Sequence, residues 1–224
     1  MGLVITTFVP DGIAICSDSL CLIRNNDDGF WQSEHEKIFV FSKKFVLAIE
    51  SNGYYQGIPI SVYINKIAHQ SFGHMDVNSF AEYISNEFLR LFNNEPIVAY
   101  VAGYQYDDGI PRPKVYLVHN GTFDCINEDS NGRQVYNFHS VGRTHWLNKL
   151  MQNTQANIGG DVIEFQAYDI DFSKYSLLYA KEFALKLISI SETMDKLSQL
   201  KPMLGGRSQY AIIRPYMEVE TKFE

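Results

Sequence analysis

Apolar and polar positions alternate from the first residues of the chain. Residues 2–9 and 13–19 are rich in apolar and β-branched side chains, and Pro10-Asp11-Gly12 lies between them. Proline and glycine supply turn geometry while the flanking residues favour extended backbone, so the chain opens as a β-hairpin. Residues 21–31 are polar and turn-rich and predict an exposed loop. The apolar runs 37–41 and 45–50, on either side of Ser42-Lys43-Lys44, predict a second hairpin closed by Ser51-Asn52-Gly53. The apolar period then lengthens to that of a helix. Val62, Tyr63, Lys66 and Ile67 define a helix over 60–69. Phe80, Tyr83, Ile84, Phe88, Leu91 and Phe92 stripe a second, which Asp76 is placed to cap and Pro96 to stop. Strands resume at 97–104, 114–119, 122–126 and 134–141, with Asn120-Gly121 as a hairpin turn. Helices at 143–151 and 175–195 follow, the second striped by Leu178, Phe183, Leu187 and Ile190, and strands at 209–213 and 216–221 end the chain.

Strands in runs followed by helices in runs specify an α+β protein with antiparallel sheets rather than alternating βα units. Two sheets stacked between two helical layers, a four-layer α/β/β/α sandwich, would use every amphipathic face. At 224 residues the chain is expected to form a single domain, residues 1–224. With 46% hydrophobic residues it is globular, and a net charge of −7 without any Lys/Arg run excludes the footprint of nucleic-acid binding. No apolar run is long enough for a membrane-spanning helix. Cys16, Cys21 and Cys125 are odd in number and lack a CxxC spacing, which fits reduced thiols and a cytoplasmic location. His69 and His74 do not have zinc-site spacing, and residues 127–132 lack the ligand pattern of a calcium loop, so no metal or other cofactor is expected.

A strand, an Asp11-Gly12 turn and a return strand ending in Ser17-Asp18-Ser19 resembles the opening of proteasome-type subunits, a branch of the N-terminal-nucleophile hydrolases. The order of elements extends the resemblance over nearly the whole chain. It implies a site in which Asp18 holds the catalytic lysine, Lys37 is that lysine, and Gly53 is the oxyanion-hole glycine. It also implies partners: further copies of this chain in a ring or helix, an ATPase, or a paralogous subunit carrying the chemistry. Such an enzyme needs a hydroxyl or thiol on its first residue, the free α-amine as base, and a cation to tune both. The residue at the nucleophile position is Gly2, which has no hydroxyl.

The departures continue at the C-terminal end. Gly205-Gly206 resembles the family's glycine pair before a terminal strand, yet the Asp and Ser expected upstream fall on Lys201 and Leu204, and Val141 replaces a supporting serine. Nucleophile and support are missing together, so the expected function is a non-catalytic, self-assembling structural or regulatory subunit. The aromatic stripes, including Phe80, Phe88, Phe92 and Phe183, are expected to offer apolar surface for that assembly. The alternative is a threonine-type amide hydrolase activated by processing, or one whose true start lies elsewhere. Cleavage before Thr6 would shorten the first strand and break its register with Lys37.

Overall fold

Strand-forming residues flanking Pro10-Asp11-Gly12 pair as β1 (Leu3–Val9) and β2 (Gly12–Ser17), with Val4 opposite Ser17 and Val9 opposite Gly12. The computed structural model describes residues 2–24, 30–92, 95, 97–151, 154–158, 161–165, 170–198 and 203–223. Next come β3 (Leu20–Arg24), β4 (Phe30–Glu34), β5 (Ile38–Phe41), β6 (Phe45–Glu50) and the short β7 (Tyr54–Tyr55) and β8 (Ile58–Pro59). Helices α1 (Ile60–Ala68) and α2 (Val77–Phe92) precede β9 (Val98–Asp107), β10 (Ile110–His119), β11 (Thr122–Cys125) and β12 (Asn137–Gly142). Then follow α3 (His145–Met151), the hairpin β13 (Thr154–Ile158) and β14 (Asp161–Phe165), a single 3₁₀ turn, α4 (Leu177–Ser198), β15 (Gln209–Ile213) and β16 (Glu220–Phe223).

Two five-stranded antiparallel sheets organise the molecule, ordered β12-β1-β2-β15-β16 and β11-β10-β9-β6-β5. Side chains alternate across a strand, and β1 shows the consequence directly. Leu3, Ile5 and Val9 join Leu177, Ala180, Ala184 and Leu187 of α4 in one apolar cluster. Val4 and Phe8, pointing the other way, join Val46, Ala48, Tyr100 and Ala102 of the second sheet. The far face of that sheet packs on α1 and α2 through Phe41, Phe45, Leu47, Ile64, Phe80 and Phe88. Strands buried on both faces need apolar residues at every position, which is why β1, β2 and β6 read as continuous hydrophobic runs.

Three sequence expectations are corrected. The loop predicted at 21–31 is flanked by paired strands, Leu20 opposite Glu34 and Arg24 opposite Phe30, and the turn-rich residues 25–29 lie outside the described residues. The strand predicted from 114 starts at Ile110 despite Pro111 and Pro113. Both prolines direct their nitrogens away from β9, beyond the reach of β11, where no ladder donor is needed. The buried Asn127 takes the place of a neighbouring strand there, accepting from Val115 N at 2.9 Å and donating to Pro113 O at 2.9 Å. Finally, Phe80, Phe88 and Phe92 are fully buried inside the chain, Phe80 stacked on Phe45 and Phe88 edge-on to Phe92, and Phe183 packs against Phe138 and Phe172. The surface of the first three is spent on the chain's own core, while Phe183 is half-buried.

The two sheets are also tied by a polar contact, Tyr100 Oη to His139 Nδ1 at 2.6 Å. Burial holds His139 below its ordinary pKa. The unfolded chain therefore takes up the proton first as pH falls, and stability present above the ordinary histidine value is lost as pH drops through the folded one. Burial lowers His35 in the same direction. The melting temperature is expected to fall on acidification from about pH 7 to about pH 5, and to fall less in His139→Gln. Equal slopes in parent and variant would remove His139 as a cause.

Candidate functional site

The antiparallel register of β1 and β2 places Asp18 beside the start of β1. Asp18 Oδ1 accepts from Leu3 N at 2.8 Å, and Asp18 N donates to Leu3 O at 3.3 Å. Lys37 directly precedes β5, its backbone fixed by Gln209 Oε1 on Lys37 N and by Ile49 N on Lys37 O. Its ammonium lies 2.7 Å from Asp18 Oδ1 and 3.0 Å from Leu20 O, with both charged side chains at most 4% exposed. Gly205 N donates to Asp18 Oδ2 at 3.2 Å. A buried ion pair is tolerated when its leftover hydrogen-bonding capacity is used in this way.

Gly2 lies against this pair. A Cβ built on Gly2 would stand only 2.0 Å from Lys37 Nζ and 2.5 Å from Asp18 Oδ1. The lysine thus occupies the volume in which a side chain at position 2 would begin. Gly2 N donates to Glu50 Oε1 at 2.7 Å, and Gly2 O accepts from Arg143 N at 2.7 Å. Burial pushes the Glu50 carboxyl above its ordinary pKa, opposed by the Gly2 N–H and by the nearby Lys37 charge.

Gly53 lines a small cavity of about 10 Å³ together with Cys21, His35, Lys37 and Ser51. That volume holds at most about one water. The Gly53 N–H donates to Ser51 Oγ at 3.1 Å, and with φ +80° a Cβ there would strike Cys21 Sγ. Burial raises the Cys21 thiol, which makes it a poor nucleophile. Lys201 lies outside the described residues, whereas Leu204 is fully buried.

Sequence reasoning missed three members of the site. Glu50 ends an apolar run and reads as a strand terminus. Asp195 and Arg143 read as ordinary helix and turn polar residues. Asp195, fully buried on α4, pairs with Arg143 Nε at 2.8 Å and accepts from Met203 N and Leu204 N, which sets the turn that presents Gly205 to Asp18. Among the described residues no group of three or more His, Cys, Asp or Glu is arranged to hold a metal, and no helix is long and apolar enough to cross a membrane.

No protein-family model matches the chain, and no curated protein matches its sequence. Solved structures do. Anbu (ancestral beta-subunit) from Yersinia bercovieri matches with a TM-score of 0.61 at 14% identity, covering 99% of this chain and 86% of that one. Anbu from Hyphomicrobium sp. strain MC1 matches at 0.62 and 13% identity over 99% of this chain and 86% of that one. A mutant form of the same protein matches at 0.63 and 14% identity over 100% and 87%. The fold is Anbu-like. This corrects the resemblance drawn from the sequence: the matched structures are Anbu proteins, proteasome-like but a distinct family, and the assignment to proteasome-type subunits is withdrawn. What the matches show is the arrangement of strands and helices. Identity this low fixes the fold and leaves the chemistry to the site itself.

Removing Lys37 would strand a buried carboxylate. Lys37→Met is expected to cost about 3–5 kcal/mol in urea unfolding, and adding Asp18→Asn to it should recover part of that loss. Strictly additive costs would contradict a coupled pair.

Proposed function

We propose that this chain is a non-catalytic, self-assembling structural or regulatory subunit on the Anbu-like fold, one domain in α/β/β/α layers, with Asp18, Lys37 and Gly53 as the remnant of a catalytic site. The observation that carries the reading is the position of Lys37 Nζ, in the space where a nucleophile's side chain would have to grow from residue 2. An N-terminal amine without a neighbouring hydroxyl has nothing to activate. The Gly53 amide, engaged by Ser51 Oγ, supports the same reading.

The retained Asp18–Lys37 pair favours the alternative of a hydrolase that exposes another first residue. Thr6 is the nearest threonine, but it is fully buried and held in β1 between Ile15 and His139. Cleavage before it would remove the pairings of Leu3, Val4 and Ile5 with β12. An electrophilic peptide that traps N-terminal nucleophiles should leave the purified protein unlabelled. Stoichiometric adduct on residue 2 or on a processed Thr6 would establish the hydrolase instead. Gly2→Thr should lose stability rather than gain labelling, because its Cβ displaces Lys37 from Asp18.

Self-assembly finds its support on the outer face of α4, where Leu197 is 78%, Leu178 57% and Tyr179 54% exposed. Leu197 stands roughly 28 Å along the helix from Leu178 and Tyr179, with Ile190 43% exposed between them, so a contact with another copy would have to run the length of α4. Light scattering at micromolar concentration should show a homo-oligomer, ring or helical, that Leu178→Asp combined with Leu197→Asp reduces to smaller species. A monomeric parent protein would refute the assembly.

A further inference from the structure

A cleft of about 340 Å³ opens away from the buried site, between Lys44 with the turn before α2 and Arg214 after β15. Lys37 precedes β5 and Lys44 lies in the turn that follows it, so the cleft and the Asp18–Lys37 pair sit at opposite ends of that strand and share no residue. Its volume falls in the range of about 300–1,000 Å³ usual for small-molecule sites. The chain after Arg214 is fastened to the second sheet. Tyr216 N donates to Tyr106 Oη at 3.1 Å, Tyr216 Oη to Gly109 O at 2.7 Å, and Val219 N to Lys43 O at 3.0 Å. The cleft is therefore built into the folded chain and needs no ligand to shape it.

An ammonium has three N–H donors. Lys44 Nζ spends two of them, on Gly73 O at 2.9 Å and Met75 O at 2.7 Å, and among the described residues no carboxylate forms an ion pair with it. Burial lowers its pKa despite the nearby Asp76 charge. Asp76 is itself engaged as the cap of α2, accepting from Ser79 N at 2.7 Å. Arg214 commits one of its five donors, to Glu220 Oε2 at 3.3 Å. Counting histidine as neutral, two cations against one carboxylate leave the lining positive in a chain whose net charge is −7. Met75, Ile213 and Met217 add apolar surface, and thioethers adapt to the shape of what they meet. We propose that this cleft binds a small organic carboxylate, a singly charged acid with an apolar or aromatic body, whose carboxylate takes the unused donors of Lys44 and Arg214. A phosphate fits less well, because its second charge exceeds what the lining offers and it buries no apolar surface. Neither Lys37 nor residue 2 enters this inference, so it stands apart from the non-catalytic reading.

Calorimetric titration of the full chain with phenylacetate should show a saturable site with a Kd below about 1 mM. Phenylacetamide, which keeps the shape and lacks the charge, should bind at least about tenfold more weakly, and inorganic phosphate should also bind more weakly than the acid. Lys44→Met and Arg214→Met should each weaken the acid roughly tenfold. Because Lys44→Met also strands two carbonyls, Met217→Glu gives a second variant. That side chain is 61% exposed, so the chain should fold, and a carboxylate there should compete for the two cations and weaken the acid. With the methionine methyls labelled for NMR, Met75 and Met217 should shift during the titration while Met151 and Met203 stay fixed. No saturation up to about 10 mM, equal affinity for the acid and its amide, phosphate binding as tight as the acid's, or shifts confined to methionines outside the cleft would each overturn the proposal.

Discussion

The structure depends on a buried ion pair that holds together parts of the chain far apart in sequence. Desolvating Asp18 and Lys37 is costly, and their attraction compensates only because the surrounding backbone completes their hydrogen bonds. Those bonds come from Leu3 at the head of β1, Leu20 at the start of β3 and Gly205 in the turn before β15. Gly205 in turn is positioned by a second buried pair, Arg143 with Asp195, which reaches back to α4. The first pair joins the end of β2 in one sheet to the start of β5 in the other, and the second joins the end of β12 to α4. Any side chain at position 2 would have to disturb the first pair, so the glycine and the ion pair are one constraint seen from two sides.

That constraint separates fold from chemistry. A likeness to Anbu at 13–14% identity describes how strands and helices are arranged and is silent about which atoms react. A lysine beside an aspartate at the mouth of a sheet serves equally well as catalytic machinery or as mortar. Here Lys37 is bonded to Asp18 and to Leu20 O and stands directly against Gly2.

Much of this was legible in the sequence where the signal is local. The first two hairpins and the helices α1 and α2 follow from period and turn residues. Asp18 and Lys37 are singled out by the resemblance to proteasome-type subunits and not by any local pattern. Glu50 could not be singled out, because a glutamate closing an apolar run looks the same whether it points to water or to a buried nitrogen. Asp195 had the same ambiguity on a helix whose neighbours Lys196 and Leu197 face solvent. The phenylalanine stripe of α2 showed that one face is apolar but not what covers it, and the cover turned out to be the chain's own sheet. The strands around residues 21–31 and the hairpin at 154–165 were missed for a related reason, since a polar centre or a short mixed run such as Thr154-Gln155-Ala156 carries little periodic signal.

The stretch of β10 that runs past β11 has a consequence for how copies of this chain can meet. A bare strand edge invites a strand from another molecule, and it is the usual starting point of runaway aggregation. Pro111 and Pro113 have no N–H to offer, and Asn127 already takes the Val115 N–H and bonds the Pro113 carbonyl. An incoming strand would find its rungs missing or taken. This border of the sheet is shut to cross-chain β-pairing, which steers contact between molecules toward side-chain surfaces and away from a shared backbone ladder.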